Sequence, residues 1–123
     1  MSTILVIDDE KKILQLMDQA LTKFGHHVET ADDGQEGIRK FDDGCFDIVI
    51  TDILMPHIDG KGVAAHIRKS KKQSIPVIAM SGTPWLLENE TFDMVLSKPF
   101  PLHKLIESIR SLVPMPSRLA LGT

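Results

Sequence analysis

The chain has 123 residues, 42% of them hydrophobic and 25% charged, with a net charge of −3. That is the size of one ordinary domain with one modest core, and its charge balance gives no electrostatic case for broad nucleic-acid binding. Cys45 is the only cysteine, which excludes an internal disulfide. No apolar run approaches the ~20 residues of a membrane span. The first short apolar stretch meets Asp8, Asp9, Glu10, Lys11 and Lys12 too soon to read as a secretory signal. The expected location is the cytoplasm, with no membrane and no direct nucleic-acid contact.

Thr3–Ile7 is rich in β-branched residues and suits a buried strand. Ile13, Leu16, Met17, Ala20, Leu21 and Phe24 then recur at helical spacing, and Gly25 sits where a helix stop is expected. His27–Ala31 reads as a more polar strand at a sheet edge, and Ile38 and Phe41 mark one face of a second helix. Ile48, Val49 and Ile50 form the next apolar strand, ending at Thr51 and Asp52. Val63 and Ile67 suggest a third helix over roughly 59–69. Ile75–Met80 reads as a strand with Pro76 near its start, where a missing N–H is tolerated. Met94–Leu96 is a short final strand. Leu102, Leu105, Ile106, Ile109 and Leu112 make a clear helix, stopped by Pro114 and Pro116. Strands alternating with helices predict an α/β fold, a parallel sheet covered on both faces.

Arg68, Lys69, Lys71 and Lys72 are a basic cluster. It could meet an anionic surface, but a solvated helix end whose cations complement the helix dipole is the better reading. His26, His27, His57, His66 and His103 show no metal-ligand spacing and are assigned to no site.

Asp8 and Asp9 end the first strand, Asp52 the third and Ser81 the fourth, and Lys98 follows the fifth. In an open parallel sheet these ends lie on one side, where ligand sites form. Each residue alone is an ordinary cap, turn former or surface lysine; all five at strand ends form a candidate site. Two carboxylates ~4 Å apart repel by about 4 kcal/mol at an effective dielectric near 20. Lys98 offsets part of this and a hard divalent cation more. Magnesium suits such oxygens best because it shares its shell with waters and phosphate. One carboxylate can then act as a nucleophile.

Four segments carry a family resemblance. Val6-Ile7-Asp8-Asp9-Glu10 resembles the opening acidic pair of response regulator receiver domains of two-component systems. Asp52-Ile53-Leu54-Met55-Pro56-His57-Ile58-Asp59-Gly60 resembles their phosphorylation segment, Ser81-Gly82-Thr83 their hydroxyl-bearing motif, and Lys98-Pro99-Phe100 their closing lysine–proline motif. The resemblance implies a doubly wound, flavodoxin-like (βα)5 fold with strand order 2-1-3-4-5. The resemblance covers essentially residues 3–113; residues 1–113 are read as the receiver domain and 114–123, past the stop at Pro114 and Pro116, as a tail or the start of a linker. The resemblance further implies that a histidine kinase or phosphotransfer protein donates a phosphoryl group to Asp52. Mg²⁺ would be bound by Asp9, Asp52 and the Leu54 backbone carbonyl, with Asp8 acting mainly through metal-bound water. Lys98 would pair with a phosphoryl oxygen, Ser81 would hydrogen-bond another, and the Lys98–Pro99 bond would be cis. The domain would catalyse its own phosphorylation and slow dephosphorylation, acting mainly as a switch for a downstream protein.

Three features depart from the family. Val95 stands where an aromatic residue usually reports the switch. The stretch from Ser81 to Lys98 is short, which predicts a shortened fourth helix around Trp85, itself a core residue or a partner contact. Leu54, two residues past Asp52, cannot orient an attacking water. The close of the chain soon after Pro116 favours a stand-alone protein; the alternative is the receiver of a longer regulator with a DNA-binding or enzymatic output. Homodimer formation is left open. A small aspartate-nucleophile phosphatase needs a second Asp where Leu54 stands, and a flavodoxin-like cofactor binder needs a Gly/Ser/Thr-rich loop where Asp8 and Asp9 stand. A receiver that never takes phosphate would not need all five residues.

Overall fold

The computed structural model describes residues 1–84 and 92–113. Five strands, β1 (Thr3–Ile7), β2 (His27–Ala31), β3 (Ile48–Asp52), β4 (Val77–Ser81) and β5 (Met94–Ser97), form one parallel sheet in the order β2-β1-β3-β4-β5. Among the described residues there are four helices: α1 (Lys11–Lys23), α2 (Gly34–Asp43), α3 (Gly60–Lys69) and α4 (Leu102–Leu112). The expected helix between β4 and β5, Trp85 and the tail from residue 114 lie outside the described residues.

Alternation along the strands divides the core into two layers. Leu5, Ile7, Val49, Val77 and Ala79 face Phe41 of α2 and Val63, Ala64 and Ile67 of α3. Ile4, Val6, Ile48, Ile50, Ile78 and Met80 face Leu14, Met17 and Leu21 of α1 and Leu105, Ile106 and Ile109 of α4. Both β3 and β4 are buried along their whole length, as expected for central strands covered on both faces. Polar β2 lies at one edge, with His27, Glu29 and their neighbours alternately exposed.

Local chemistry sets the helix ends. Gly25, at φ 87°, closes α1, and His26 N–H returns to the Leu21 carbonyl at 3.2 Å. Asp33 caps α2 by accepting from Glu36 N–H at 2.7 Å, and Asp59 caps α3 by accepting from Gly62 N–H at 2.8 Å.

Two expectations are refined. The fourth strand begins at Val77, not Ile75. Pro76 has no N–H to give, and Val77 N–H is taken by the Asp93 carboxylate at 2.7 Å, so Ile75 and Pro76 serve as approach to the strand. The basic cluster is only partly a solvated helix end. Arg68 donates to the carbonyls of Gln73 and Ile75, each at 2.8 Å, and pairs with Asp93 at 2.7 Å. Lys72 donates to the Phe41 carbonyl at 3.0 Å and lies over the Phe41 ring. Only Lys69 and Lys71 are exposed.

Gly60 governs how closely α3 approaches the end of β3. A Cβ there would collide with the Asp52 carbonyl oxygen and lie 2.9 Å from Ile53 Cα, both backbone atoms that cannot swing aside. Gly60→Ala is therefore expected to destabilise the domain by roughly 1–3 kcal/mol. Urea unfolding measures this; an unchanged midpoint would show that the helix start shifts freely.

Candidate functional site at the strand tips

The chain leaves β1 to form β2 on one side, then crosses to form β3 on the other. The crevice at this switch point opens where parallel strands end. Asp8 and Asp9 follow β1, and Asp52 is the last residue of β3. Register places Ile7 beside Thr51, so the next residues of the two strands meet. Asp8, Asp9 and Asp52 each offer a carboxylate oxygen within 4.8 Å of the others.

Each acid has a different surrounding. Asp8 has no solvent exposure. Its Oδ1 accepts from Glu10 N–H at 2.9 Å, forming the turn into α1, while its Oδ2 is buried without a hydrogen-bond partner. Asp9 is exposed. Asp52 is buried, and its Oδ1 accepts from Ile53 N–H at 3.0 Å and from Lys98 Nζ at 3.1 Å.

Lys98 reaches this cluster from beyond β5. Its N–H donates to the Ser81 carbonyl at 2.8 Å, extending the β4–β5 pairing, and its Nζ lies 3.6 Å from Asp8 Oδ2. The Lys98–Pro99 bond is cis, as the resemblance implied. Burial works against the Lys98 charge, yet its bond to Asp52 and the charges of Asp8, Asp52 and Glu10 raise its pKa above the ordinary value. Burial pushes Asp8 up to about 6; Glu10 N–H and Lys98 oppose the rise, and the charges of Asp52 and Asp9 add to it.

Ser81 is buried at the end of β4, its Oγ accepting from Thr83 N–H at 3.0 Å. Asp9, Asp52, Leu54, Ser81 and Lys98 line one cleft of about 280 Å³. The Leu54 side chain is 78% exposed. The structure thus brings Asp9, Asp52, Leu54, Ser81 and Lys98 to one cleft, whereas Asp8 is buried and does not line it, meeting the site only through the carboxylate cluster and Lys98; the Ser81 hydroxyl is engaged in its own turn. Glu10 was not among the expected residues; it lines the cleft and contributes charge to Lys98. An acid one residue past an acidic pair reads in sequence only as part of a helix start.

The donor set fits a hard divalent cation. All three groups are carboxylates, one Asp8 oxygen is buried without a hydrogen-bond partner, and the one ammonium, Lys98, pairs with Asp8 and Asp52. The histidines stay apart from it: His26 accepts from Ser2 N–H at 3.1 Å and His66 meets Asp42 at 2.7 Å.

A doubly wound sheet with an acidic switch-point cleft and a lysine at the tip of the last strand defines a class, and comparison bears it out. The model of the response regulator receiver domain matches residues 4–110, and the chain belongs to that family. It is 33% identical to the transcriptional regulatory protein TcrA of Mycobacterium tuberculosis, covering 97% of this chain and 51% of TcrA. It is 28% identical to the response regulator ArlR of Staphylococcus aureus, covering 92% of this chain and 53% of ArlR. The chain spans about half the length of these curated relatives. Among solved structures it is similar to the response regulator TrrA of Thermotoga maritima, in complex with Mg²⁺-BeF, at 35% identity and a TM-score of 0.84 over 92% of this chain and all of that one. A receiver domain protein of Clostridium thermocellum gives 32% identity and a TM-score of 0.85 over the full length of both.

The raised Asp8 pKa fixes a pH dependence. Between about pH 4 and 6 the folded chain holds a proton that the unfolded chain has released, so metal-free stability falls as pH rises through that window. A shift of about two units corresponds to at most about 3 kcal/mol. Asp8→Asn is expected to raise stability above pH 6 in EDTA and to flatten the pH profile. Urea unfolding at pH 5 and 7.5 checks this; a variant no more stable than wild type at pH 7.5 contradicts it.

Proposed function

We propose that this receiver domain accepts a phosphoryl group on Asp52 from a phosphohistidine of a histidine kinase or phosphotransfer protein. An Asp52 oxygen bonds to phosphorus, the phosphorus–nitrogen bond breaks, and its electron pair returns to the donor imidazole. The observation that carries the reading is Asp52 lining the cleft, with one oxygen held by Ile53 N–H and Lys98. Phosphoryl transfer needs positioning and charge neutralisation more than covalent help. Lys98 neutralises charge on the phosphoryl oxygens. Asp9, Asp52 and the Leu54 backbone carbonyl would hold Mg²⁺, with Asp8 contributing through water. The bound ion supplies positive charge where negative charge spreads. The similar Thermotoga protein, solved with Mg²⁺-BeF, supports a metal at this cluster.

After transfer, Ser81 gives up its bond from Thr83 and donates to the phosphoryl group. The β4 end is repacked and a downstream protein reads the change. Val95, half-buried against the α2–α3 side of the core, takes no aromatic part in this. The domain acts in the cytoplasm; among the described residues no helix is long and apolar enough to cross a membrane. A second reading joins the same switch to a DNA-binding output, favoured by the roughly twofold greater length of TcrA and ArlR. The phosphatase reading is disfavoured because Leu54 stands where its second acid is needed.

Incubation with acetyl phosphate and Mg²⁺ is expected to add one phosphate mass, lost in Asp52→Asn and much slowed in Lys98→Ala. An intact-mass spectrum with no increase, or an Asp52→Asn chain that still gains mass, contradicts the assignment. The exposed, apolar Leu54 offers no group to orient water, so phosphorylated protein is expected to persist for minutes or longer. Decay within seconds after removal of the donor would show that another group activates water.

A further inference from the structure

Thr51 is a hydroxyl residue in an apolar layer. It has no solvent exposure, and its neighbours on that face are Ile7, Val49 and Ala79. A hydroxyl buried there without a partner is costly, and a valine would suit the same strand position. The hydroxyl has one use among the described residues: Oγ1 donates to the Asp52 carbonyl at 2.9 Å.

That carbonyl is one end of a rigid unit. The Asp52 C=O and Ile53 N–H belong to the same planar peptide. The other end of the plane, Ile53 N–H, donates to Asp52 Oδ1 at 3.0 Å, the oxygen also held by Lys98 at 3.1 Å. A turn of the plane would swing this N–H away from the carboxylate. Gly60 closes the plane from the α3 side, since a Cβ there would strike the Asp52 oxygen and Ile53 Cα.

We propose that Thr51 is a positioning residue for phosphoryl transfer: its hydroxyl fixes the Asp52–Ile53 peptide, and through it the Asp52 carboxylate. This rests on the reading of Asp52 as phosphoacceptor. The bond holds the carboxylate oxygen that faces Lys98 and leaves the other oxygen free to attack. Thr51 touches neither donor nor phosphorus, so its loss should slow the chemical step and leave donor binding unchanged.

The test uses the whole chain with Thr51→Val, which keeps the branched shape, and Thr51→Ser, which keeps the hydroxyl. Initial rates are measured against acetyl phosphate at saturating Mg²⁺, and the Ile53 amide proton is followed by nuclear magnetic resonance. Thr51→Val is expected to lower the maximal rate roughly three- to tenfold with unchanged KM, and to shift the Ile53 amide upfield. Its melting midpoint is expected to hold, and Thr51→Ser to restore both rate and amide shift. A Thr51→Val chain with full maximal rate, or a Thr51→Ser chain as slow as Thr51→Val, overturns the proposal alone. A wild-type chain that takes up no phosphoryl group overturns the phosphoacceptor reading and this proposal with it.

Discussion

Three carboxylates and one ammonium group share the crevice between β1 and β3, and this electrostatic crowding is the constraint on which the rest depends. Asp8 is fully buried with one oxygen that accepts no hydrogen bond, and Lys98 spans both Asp8 and Asp52. Such a cluster is unfavourable when the acids are all ionised and no cation is added. The stability given up there is recovered elsewhere, in two apolar layers that bury β3 and β4 along their length. The sheet supports the site in the mechanical sense too: rigid central strands carry the acids, and the turns after them supply their backbone partners.

The positions of the acids were legible in the sequence because parallel strands place all their ends on one side. Asp8, Asp9, Asp52, Ser81 and Lys98 could be found by marking where apolar runs stop. Their separate states could not. Whether Asp8 is buried or exposed depends on how α1 leaves β1, and Asp9, one residue on, is exposed. The turn that engages the Ser81 hydroxyl with Thr83 is likewise a matter of local backbone geometry. Thr51 gave no signal because a threonine at the end of a strand is ordinary; only its bond to the next carbonyl distinguishes it.

The same division holds for the scaffold. Strand order followed from the family resemblance, whereas periodicity alone established only the alternation of elements. The start of β4 was displaced by Asp93, sixteen residues further on, which takes the Val77 N–H. Arg68 and Lys72 read as members of a basic run, yet they tie α3 and its following turn to Asp93 and to the end of α2. Partners that far apart in the chain leave no trace in local composition, so a run of cations looks alike whether it is solvated or built in.

The central claim, that these three acids form a divalent-cation site, is tested most directly by calorimetric titration of the metal-free protein with Mg²⁺. A single saturable site that disappears in Asp9→Asn, with the fold retained, is the result the account predicts. Heats no different from dilution, or equal binding by wild type and Asp9→Asn, would contradict it.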